Sequence, residues 1–264
     1  MSLPPAAAAF DAVAERFDAR YGEWKSVAAQ RRAVRSALLK AFAPGARILE
    51  IGGGTGEDAE WLAGQQREVL LTDVSPAMIR LATGKLRGLG LPAPVLSAAE
   101  HLIASIGGTT GPFDGAFSNF AALNCVTDLA VVARGLAALV RPGGRVLLVV
   151  FGTYPPGEWL VELLRGRARL AFRRMSRGDV PARLGGNEFV VRYHRQNDLV
   201  RAFEPYFRLI GRRGIGVFVP PSAAEPWISA HPRLLSVLER LDHRLARMLA
   251  PLGDHVLYEF ERAS

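Results

Sequence analysis

Cysteine is almost absent from this sequence of 264 residues, in which Cys125 stands alone. A single cysteine cannot form an internal disulfide, so a disulfide-stabilised secreted domain is excluded and a reducing compartment is favoured. No run of 18 apolar residues occurs, which argues against a transmembrane helix. The start of the chain, Met1 to Ala9, lacks the charged head and long apolar body of a secretory signal. We therefore expect a cytoplasmic protein.

Lysine is also scarce, being found only at Lys25, Lys40 and Lys85, so arginine carries most of the net charge of +8. A basic balance is compatible with nucleic acid or an anionic membrane surface as a partner. Apolar residues make up 49% and charged residues 22%, as in globular rather than disordered chains. Because this length can bury one large core, we expect a single α/β domain with insertions.

A glycine-rich turn follows the first apolar run. Residues 47–51 are typical of a buried parallel strand, and Gly52, Gly54 and Gly56 then allow a tight turn whose backbone approaches a ligand. A dinucleotide fingerprint needs glycine where this chain has Glu57, and the lysine of a phosphate-binding loop is missing. Acidic residues at a helix start repel phosphates. We therefore expect a nucleoside ligand that carries a cationic group.

The run Glu50-Ile-Gly-Gly-Gly-Thr-Gly56 resembles motif I of the class I S-adenosylmethionine-dependent methyltransferases, in which an acidic residue and one further residue precede G-x-G-x-G. Leu139-Val-Arg-Pro-Gly-Gly-Arg-Val-Leu148 is similar to the motif V region of that family. The resemblance covers residues 45–152. It implies a doubly wound, mostly parallel, seven-stranded α/β sheet with an antiparallel last strand, S-adenosylmethionine as cofactor and S-adenosylhomocysteine as product.

An acidic residue ends the second predicted strand. Asp73 lies 17 residues after Gly56, where a doubly wound fold places a carboxylate against a ribose. A carboxylate accepts hydrogen bonds from both ribose hydroxyls, although Asp73 is alternatively a helix-capping residue. The run Thr72 to Ile79 resembles motif II of the family, which implies that Met78 flanks the adenine.

The third predicted strand ends differently from that of many relatives, which carry Asp-Ala-Glu where this chain has Ala98-Ala99-Glu100. This chain therefore lacks the Asp side chain that binds the adenine amine in those relatives. Backbone groups of Ala99 can still read the adenine edge, and Glu100 either replaces the missing acid or caps the next helix. Tyr21 and Trp24 form either a lid over the cofactor or an ordinary contact between helices. The cofactor site implied by the resemblance consists of Tyr21, Glu50, Gly52, Gly54, Gly56, Asp58, Asp73, Val74, Met78, Ala99, Glu100, Ser118 and Asn119.

The loop at 119–126 follows the fourth predicted strand and should border the methyl group, because ligands of such sheets bind beyond the carboxyl ends of the strands. Its Asn119 and Asn124 either orient a substrate or stabilise the loop through local backbone bonds. We predict Asn124, Tyr154 and Trp159 as substrate-binding residues. Where the acceptor must lose a proton, His194 and Tyr193 are the leading candidates for a general base, with Tyr154 as a third. The histidines lack close metal-ligand spacing, so no metal is expected.

The chain divides into N-terminal helices or lid (1–44), cofactor-binding core (45–152), basic insertion or substrate cap (153–195) and the C-terminal part of the sheet (196–264). Helical spacing in the cap predicts one amphipathic helix over 158–175, with Glu158, Glu162 and three arginines opposite its leucines. Such a helix either lies on an anionic bilayer or packs on the core with a solvated arginine face.

The resulting hypothesis is an S-adenosylmethionine-dependent methyltransferase that acts on a small or amphiphilic molecule, with possible O-, N- or C-methylation. The arginines also permit an RNA methyltransferase, although no Asn-Pro-Pro-Tyr signature follows the fourth strand and no appended RNA-binding module is visible. A cofactor-binding regulator without catalysis is the third alternative. DNA is not expected as a partner, and the oligomeric state stays open.

Overall fold

A computed structural model describes residues 3–108, 111–120 and 122–264. Met1 and Ser2 of the start discussed above, and Ala121 of the loop at 119–126, lie outside the described residues. Within these ranges no helix combines the length and the apolar character needed to cross a bilayer.

Seven strands form one sheet, and two further strands form a separate hairpin. In chain order the strands are β1 (Arg47–Ile51), β2 (Glu68–Asp73), β3 (Val95–Leu96), β4 (Phe113–Ser118), β5 (Val140–Phe151), β6 (Asp179–Leu184), β7 (Asn187–Arg192), β8 (Phe207–Ile215) and β9 (His255–Arg262). The sheet has the order β3-β2-β1-β4-β5-β9-β8, with β6 and β7 paired outside it. Strands β1 to β5 are parallel, whereas β9 runs antiparallel between β5 and β8. The predicted doubly wound sheet with an antiparallel last strand is confirmed.

Helices connect and cover these strands. They are α1 (Pro5–Asp11), α2 (Ala14–Gly22), α3 (Lys25–Ala41), α4 (Glu57–Gly64), α5 (Pro76–Leu86), α6 (Leu102–Ile106), α7 (Leu129–Leu139), α8 (Pro156–Leu164), α9 (Ala168–Ala171), α10 (Gln196–Phe203) and α11 (Pro232–Leu245). Several begin where their sequence predicts: Ser75 caps α5 ahead of Pro76, and Asp128 caps α7 through the Ala130 backbone N–H.

The sheet has a packed apolar layer on each face because side chains alternate along its strands. On β1, Leu49 and Ile51 belong to a cluster with residues of α7 and α10, whereas Ile48 belongs to a cluster with residues of α3 and α4. Glu50 is also fully buried, with 2% of its surface exposed. A carboxylate in this position is costly unless it has a partner, so it marks the end of β1 as a place for function.

The amphipathic segment at 158–175 differs from the prediction of one continuous helix. Helix α8 ends at Leu164 because Gly166 takes a left-handed conformation with φ of 70°, and α9 and a final 3₁₀ turn follow. The exposed face is also opposite to the one expected for a helix that packs on the core with a solvated arginine face, which was one of the two alternatives. Glu158 and Glu162 are buried, whereas Leu160 and Leu164 are exposed.

Smaller differences concern the ends of elements. The N-terminal region forms three helices, β3 is only two residues long, and β5 begins at Val140. Strands β6 and β7 pair as an antiparallel hairpin within the cap. The two are joined at Gly185 and Gly186, both with positive φ, as a tight hairpin requires.

Candidate functional site

A cavity of about 480 Å³ lies at the carboxyl ends of the parallel strands, beside the glycine turn. Its walls come from the turn after β1, the ends of β2 and β3, the loop after β4, and helices α1 and α2. Ten predicted cofactor residues line it: Glu50, Gly52, Gly54, Asp58, Asp73, Val74, Met78, Ala99, Glu100 and Asn119. The topology therefore brings together residues that the sequence separates by about 70 positions.

The glycine turn has the geometry for which its residues are needed. Gly52, Gly54 and Gly56 all have positive φ, at 67°, 56° and 85°. A side chain at Gly52 would also collide with Ala122 of the loop after β4. Gly56 does not line the cavity; instead it precedes α4, where it lies against Ala82 of α5. Side chains at Gly52 and Gly56 would meet Ala122 and Ala82, so glycine is needed for the backbone of the turn to lie against the cavity.

Glu50 is the unusual group of this site. Burial, reinforced by the nearby charges of Asp58 and Asp73, raises the pKa of Glu50 well above its usual range. Its Oε2 atom is buried and has no hydrogen-bond partner among the described residues. A buried carboxylate oxygen without a donor is stabilised by a cation brought in with a ligand. This property fits the cationic nucleoside expected from the sequence.

Asp73 has a second role besides the predicted one. Its Oδ2 accepts a hydrogen bond from the Gly54 backbone N–H at 2.9 Å, and its Oδ1 accepts one from the Ser75 backbone N–H at 2.9 Å. Burial raises the pKa of Asp73, and these hydrogen bonds partly offset that shift. The carboxylate thus holds the glycine turn against the end of β2. Ribose binding by Asp73 stays a prediction, for which each oxygen retains a free lone pair.

Asp58 and Asn119 join two walls of the cavity. Asp58 Oδ2 accepts from Asn119 Nδ2 at 2.6 Å, and its Oδ1 pairs with Arg35 at 2.7 Å. Asn119 Oδ1 in turn accepts from the Phe120 backbone N–H. Phe120 has a φ of 41°, which is strained for a residue with a side chain, and its ring lies in the cavity. The Asp58–Asn119 pair therefore fixes the loop that presents Phe120.

Helices α1 and α2 cover the cavity from above. Phe10 and Phe17 line it, with ring centroids 6.5 Å apart. Asp11 accepts from the Ala77 backbone N–H at 2.7 Å and from Ser75 Oγ at 2.8 Å, which fastens the cover to the start of α5. Asp18 pairs with Lys85 at 2.8 Å. The cover is therefore apolar towards the cavity and is held by carboxylates at its edge.

Several predicted site residues lie outside this cavity. Ser118 is buried, and its hydroxyl donates to the Ile51 carbonyl at 3.0 Å. Tyr21 packs between Phe17 and Trp24, with ring centroids 4.7 and 5.2 Å away, which matches the contact between helices that was the alternative to a lid. Asn124 is buried as well, since it donates to the Arg192 carbonyl at 2.6 Å and accepts from the Phe151 backbone N–H.

The predicted general bases are not among the residues that line the cavity. His194 is buried, with Nε2 3.0 Å from the Leu123 carbonyl, and burial lowers its pKa. Tyr193 packs against Phe151 with tilted rings, and burial raises its pKa. Tyr154 is exposed on the surface and Trp159 packs on Phe172. Neither lines the cavity, so the structure does not bring the predicted substrate residues to it.

Part of the lining was not predicted from the sequence. Phe10, Phe17, Asp18, Arg31 and Phe120 all border the cavity. Phe10 and Phe17 recur at helical spacing, which indicates an apolar face but not what that face covers. Cys125 lines the cavity too, and burial, together with Asp73 and Glu100, raises its pKa to about 11. A protonated thiol agrees with a packing role rather than a nucleophilic one.

Comparison with known proteins decides the family. A family model described as a methyltransferase domain matches residues 24–206. The chain belongs to this methyltransferase family. The methyltransferase shares 33% identity over 110 residues with the ubiquinone/menaquinone biosynthesis C-methyltransferase UbiE of Yersinia pestis (strain Pestoides F). That match covers 40% of this chain and only 43% of the relative's length.

Two solved structures extend the comparison across most of the methyltransferase. The CcbJ methyltransferase of Streptomyces caelestis has a TM-score of 0.58 at 16% identity, over 96% of each chain. The geranyl diphosphate C-methyltransferase of Streptomyces coelicolor A3(2), solved with S-adenosyl-L-homocysteine, has a TM-score of 0.54 at 13% identity, over 88% of this chain and 79% of that one. The predicted class I S-adenosylmethionine-dependent methyltransferase is confirmed in family and fold.

Proposed function

We propose that this protein transfers a methyl group from S-adenosylmethionine to a small or amphiphilic acceptor. The observation that carries the proposal is the buried Oε2 of Glu50, a carboxylate oxygen without a donor beside an open glycine turn. S-adenosylmethionine carries a positive ammonium group and supplies a methyl group on a positive sulfonium. Three carboxylates, Glu50, Asp58 and Asp73, provide a cavity of matching charge.

Each wall of the cavity has a part in this proposal. Backbone groups of Gly52 and Gly54 approach the amino-acid portion of the cofactor, and Asp73 accepts from the ribose hydroxyls. Val74, Met78 and Ala99 hold the adenine, with Glu100 at its rim. Because methyl transfer is an in-line displacement, the chain has mainly to align the acceptor and exclude water. The apolar cover from α1 and α2 serves the second purpose.

The acceptor class follows from the remaining lining. Phe10, Phe120, Ala122 and Val126 present apolar surface, which favours an acceptor with an apolar body. The names of the relatives are consistent with this, since one acts in quinone biosynthesis and one on geranyl diphosphate.

The predicted bases do not line the cavity: His194 bonds to the Leu123 carbonyl, Tyr193 packs against Phe151 and Tyr154 is exposed. We propose that transfer proceeds without them, either on an acceptor already deprotonated or on one that needs no base. A His194→Gln variant that keeps the bond to the Leu123 carbonyl should then retain its rate; a large loss in kcat without a change in stability would make His194 catalytic.

Cofactor binding is tested by two matched glycine substitutions. Gly52→Ala places a methyl group against Ala122 at positive φ, whereas Gly64→Ala meets open space at the end of α4. Calorimetry with S-adenosylhomocysteine should detect binding to the parent and to Gly64→Ala, and strongly weakened binding to Gly52→Ala. Equal affinity of all three proteins would remove the glycine turn from the cofactor site.

The acceptor class is tested with methyl-labelled S-adenosylmethionine and an extract of the source cells. Label should appear in the lipid or small-molecule fraction and should be lost with Gly52→Ala. Label in RNA would establish the RNA methyltransferase instead. Cofactor binding without transfer to any fraction would favour a regulator without catalysis.

We further propose a cytoplasmic location with peripheral contact to an anionic membrane, which suits an amphiphilic acceptor. The surface for that contact lies in the cap, away from the cavity lining.

A further inference from the structure

The segment from Trp159 to Gly178 exposes an unusual amount of apolar surface. Six large apolar side chains in it are each more than one third exposed, and they define the apolar patch: Leu160 (61%), Leu163 (47%), Leu164 (79%), Leu170 (39%), Phe172 (44%) and Met175 (41%). Scattered apolar residues on a surface are normal, whereas six within 16 positions of one segment mark a surface that contacts another phase or partner.

Buried ion pairs fix this orientation. Glu158 pairs with Arg173 at 3.0 Å and with Arg174, which also binds Asp254 at 2.8 Å. Arg174 Nη1 donates to the Asp254 carbonyl as well. Because Glu158 pairs with Arg174 inside the protein, the opposite face of α8, with its leucines, faces outwards. The apolar patch is therefore held in place by the fold.

A second pair supports the same arrangement. Glu162 is buried and pairs with Arg167 at 2.7 Å and with Arg165 at 3.7 Å. Both arginines keep nearly half of their side-chain surface exposed. Each of these arginines thus pairs with a buried glutamate while part of its side chain stays on the exposed surface of the segment.

The exposed charge in the same segment is of one sign. Five exposed arginines alternate along the sequence with the residues of the apolar patch: Arg165, Arg167, Arg169, Arg173 and Arg177. Residues 158–177 contain six arginines and two glutamates, a net charge of +4, and both glutamates are buried. Arg169 and Arg177 form no ion pair with any described residue. Every exposed charge between residues 159 and 178 is therefore positive.

We propose that the apolar patch inserts into the surface of a bilayer that contains anionic lipids. Its leucines and Phe172 would enter the boundary between headgroups and acyl chains, and the arginines would meet the lipid phosphates. A second copy of this chain is a poorer occupant, because a symmetric contact would bring the same arginines against each other. This surface is independent of the proposed methyl transfer, since binding to it needs neither cofactor nor acceptor.

The apolar contribution is tested by sedimentation of the full chain with vesicles of phosphatidylcholine and phosphatidylglycerol in equal parts. The triple variant Leu160→Ser, Leu164→Ser and Phe172→Ser should bind at least about tenfold more weakly, because three side chains lose their apolar insertion. A matched triple replaces apolar side chains that are similarly exposed elsewhere. It consists of Leu89→Ser, Ile103→Ser and Val237→Ser, and it should bind within about twofold of the parent protein.

The charge contribution is tested with Arg169→Gln and Arg177→Gln. Each should weaken binding to the anionic vesicles about fivefold at low salt, with little effect on pure phosphatidylcholine vesicles. Added salt should reduce the binding of the parent protein towards that of these two variants, because it screens exposed charge.

Three results would overturn the proposal: no sedimentation of the parent protein with the vesicles, parent-like binding of the triple variant at the apolar patch, or a dimeric parent protein that this variant converts to monomer. The third result would assign the patch to a second copy. Calorimetry with S-adenosylhomocysteine on the same variants keeps the tests separate: retained cofactor binding with lost vesicle binding supports the docking surface whatever the acceptor proves to be.

Discussion

Glu50→Gln removes one buried negative charge while leaving the shape of the side chain nearly unchanged. In the folded protein burial and the charges of Asp58 and Asp73 oppose ionisation of Glu50, so its pKa lies well above its usual range. A cationic cofactor favours the ionised form of Glu50, because it places a positively charged partner beside Oε2. We therefore expect the substitution to weaken cofactor binding and to stabilise the free protein.

The size of the first effect is that of a hydrogen bond to a charged group. Such a bond contributes about 1.5–3 kcal/mol, which corresponds to about tenfold to about a hundredfold in the dissociation constant. Because the cofactor holds Glu50 ionised, binding to the parent protein should also release a proton when the free carboxyl is protonated. The glutamine variant should release fewer protons.

The second effect depends on pH with a definite sign. A carboxyl whose pKa is raised by folding lowers the free energy of unfolding only at a pH where it is ionised. The loss is therefore absent in acid. It grows as the pH rises from the pKa in the unfolded chain, about 4.3, towards the pKa in the folded protein. Glutamine mimics the neutral acid. The free energy of unfolding of Glu50→Gln should thus exceed that of the parent protein near neutral pH and match it in acid.

Calorimetry with S-adenosylhomocysteine in buffers of different ionisation enthalpy measures both affinity and proton release, and urea unfolding measures stability. Glu60→Gln is the matched control, since Glu60 lies exposed on α4 and undergoes the same chemical change. Parent-like affinity and proton release in Glu50→Gln would refute the reasoning, because Glu50 would then have no cationic partner in the complex.

Three further predictions concern other parts of the site and the cap. Asp11→Ala should lower the free energy of unfolding by about 1 kcal/mol, as for a lost helix cap, and should weaken cofactor affinity because the cover is no longer fastened to α5. Urea unfolding measures the first effect and calorimetry the second. Unchanged values for both would contradict the role of Asp11 in holding the cover. Cys125 should alkylate slowly near neutral pH and about tenfold faster for each unit up to its pKa of about 11, as followed by mass spectrometry. Arg174→Met should lower the free energy of unfolding by about 3–5 kcal/mol, because Glu158 and Asp254 lose their buried partner. Burial opposes ionisation of Asp254, but Arg174 holds the pKa of Asp254 below its usual range. The stability that the Arg174–Asp254 pair contributes should therefore be lost as the pH falls and Asp254 becomes protonated.

The core of the fold was predictable from the sequence because its signals are local. The apolar run of β1, the glycines with positive φ after it, and the acidic end of β2 each depend on neighbours within a few residues. Parallel strands then bring these ends to one edge of the sheet, which is why Glu50 and Asp73 line one cavity as expected.

The cap was not predictable in the same way. Helical spacing correctly indicated that α8 has a charged face and an apolar face, but spacing cannot say which face is buried. Here distant residues decide: Asp254, 80 positions beyond Arg174, holds Arg174 inside the protein, and Arg174 in turn pairs with Glu158 of α8. The same limit applies to His194, whose burial and bond to the Leu123 carbonyl come from loop packing that no local pattern reports.

The cover of the cavity has a consequence for synthesis of the chain. Helix α1 is synthesised before β7, yet Phe10 packs against Phe189 of β7, with ring centroids 5.9 Å apart. A ribosome-bound chain that ends shortly after β5 already contains the complete glycine turn, whereas the cover from α1 and α2 still lacks its contact with β7. Capture of the cofactor by a growing chain should therefore begin only once β7 has emerged, so binding by stalled chains of increasing length would report when α1 and β7 first meet.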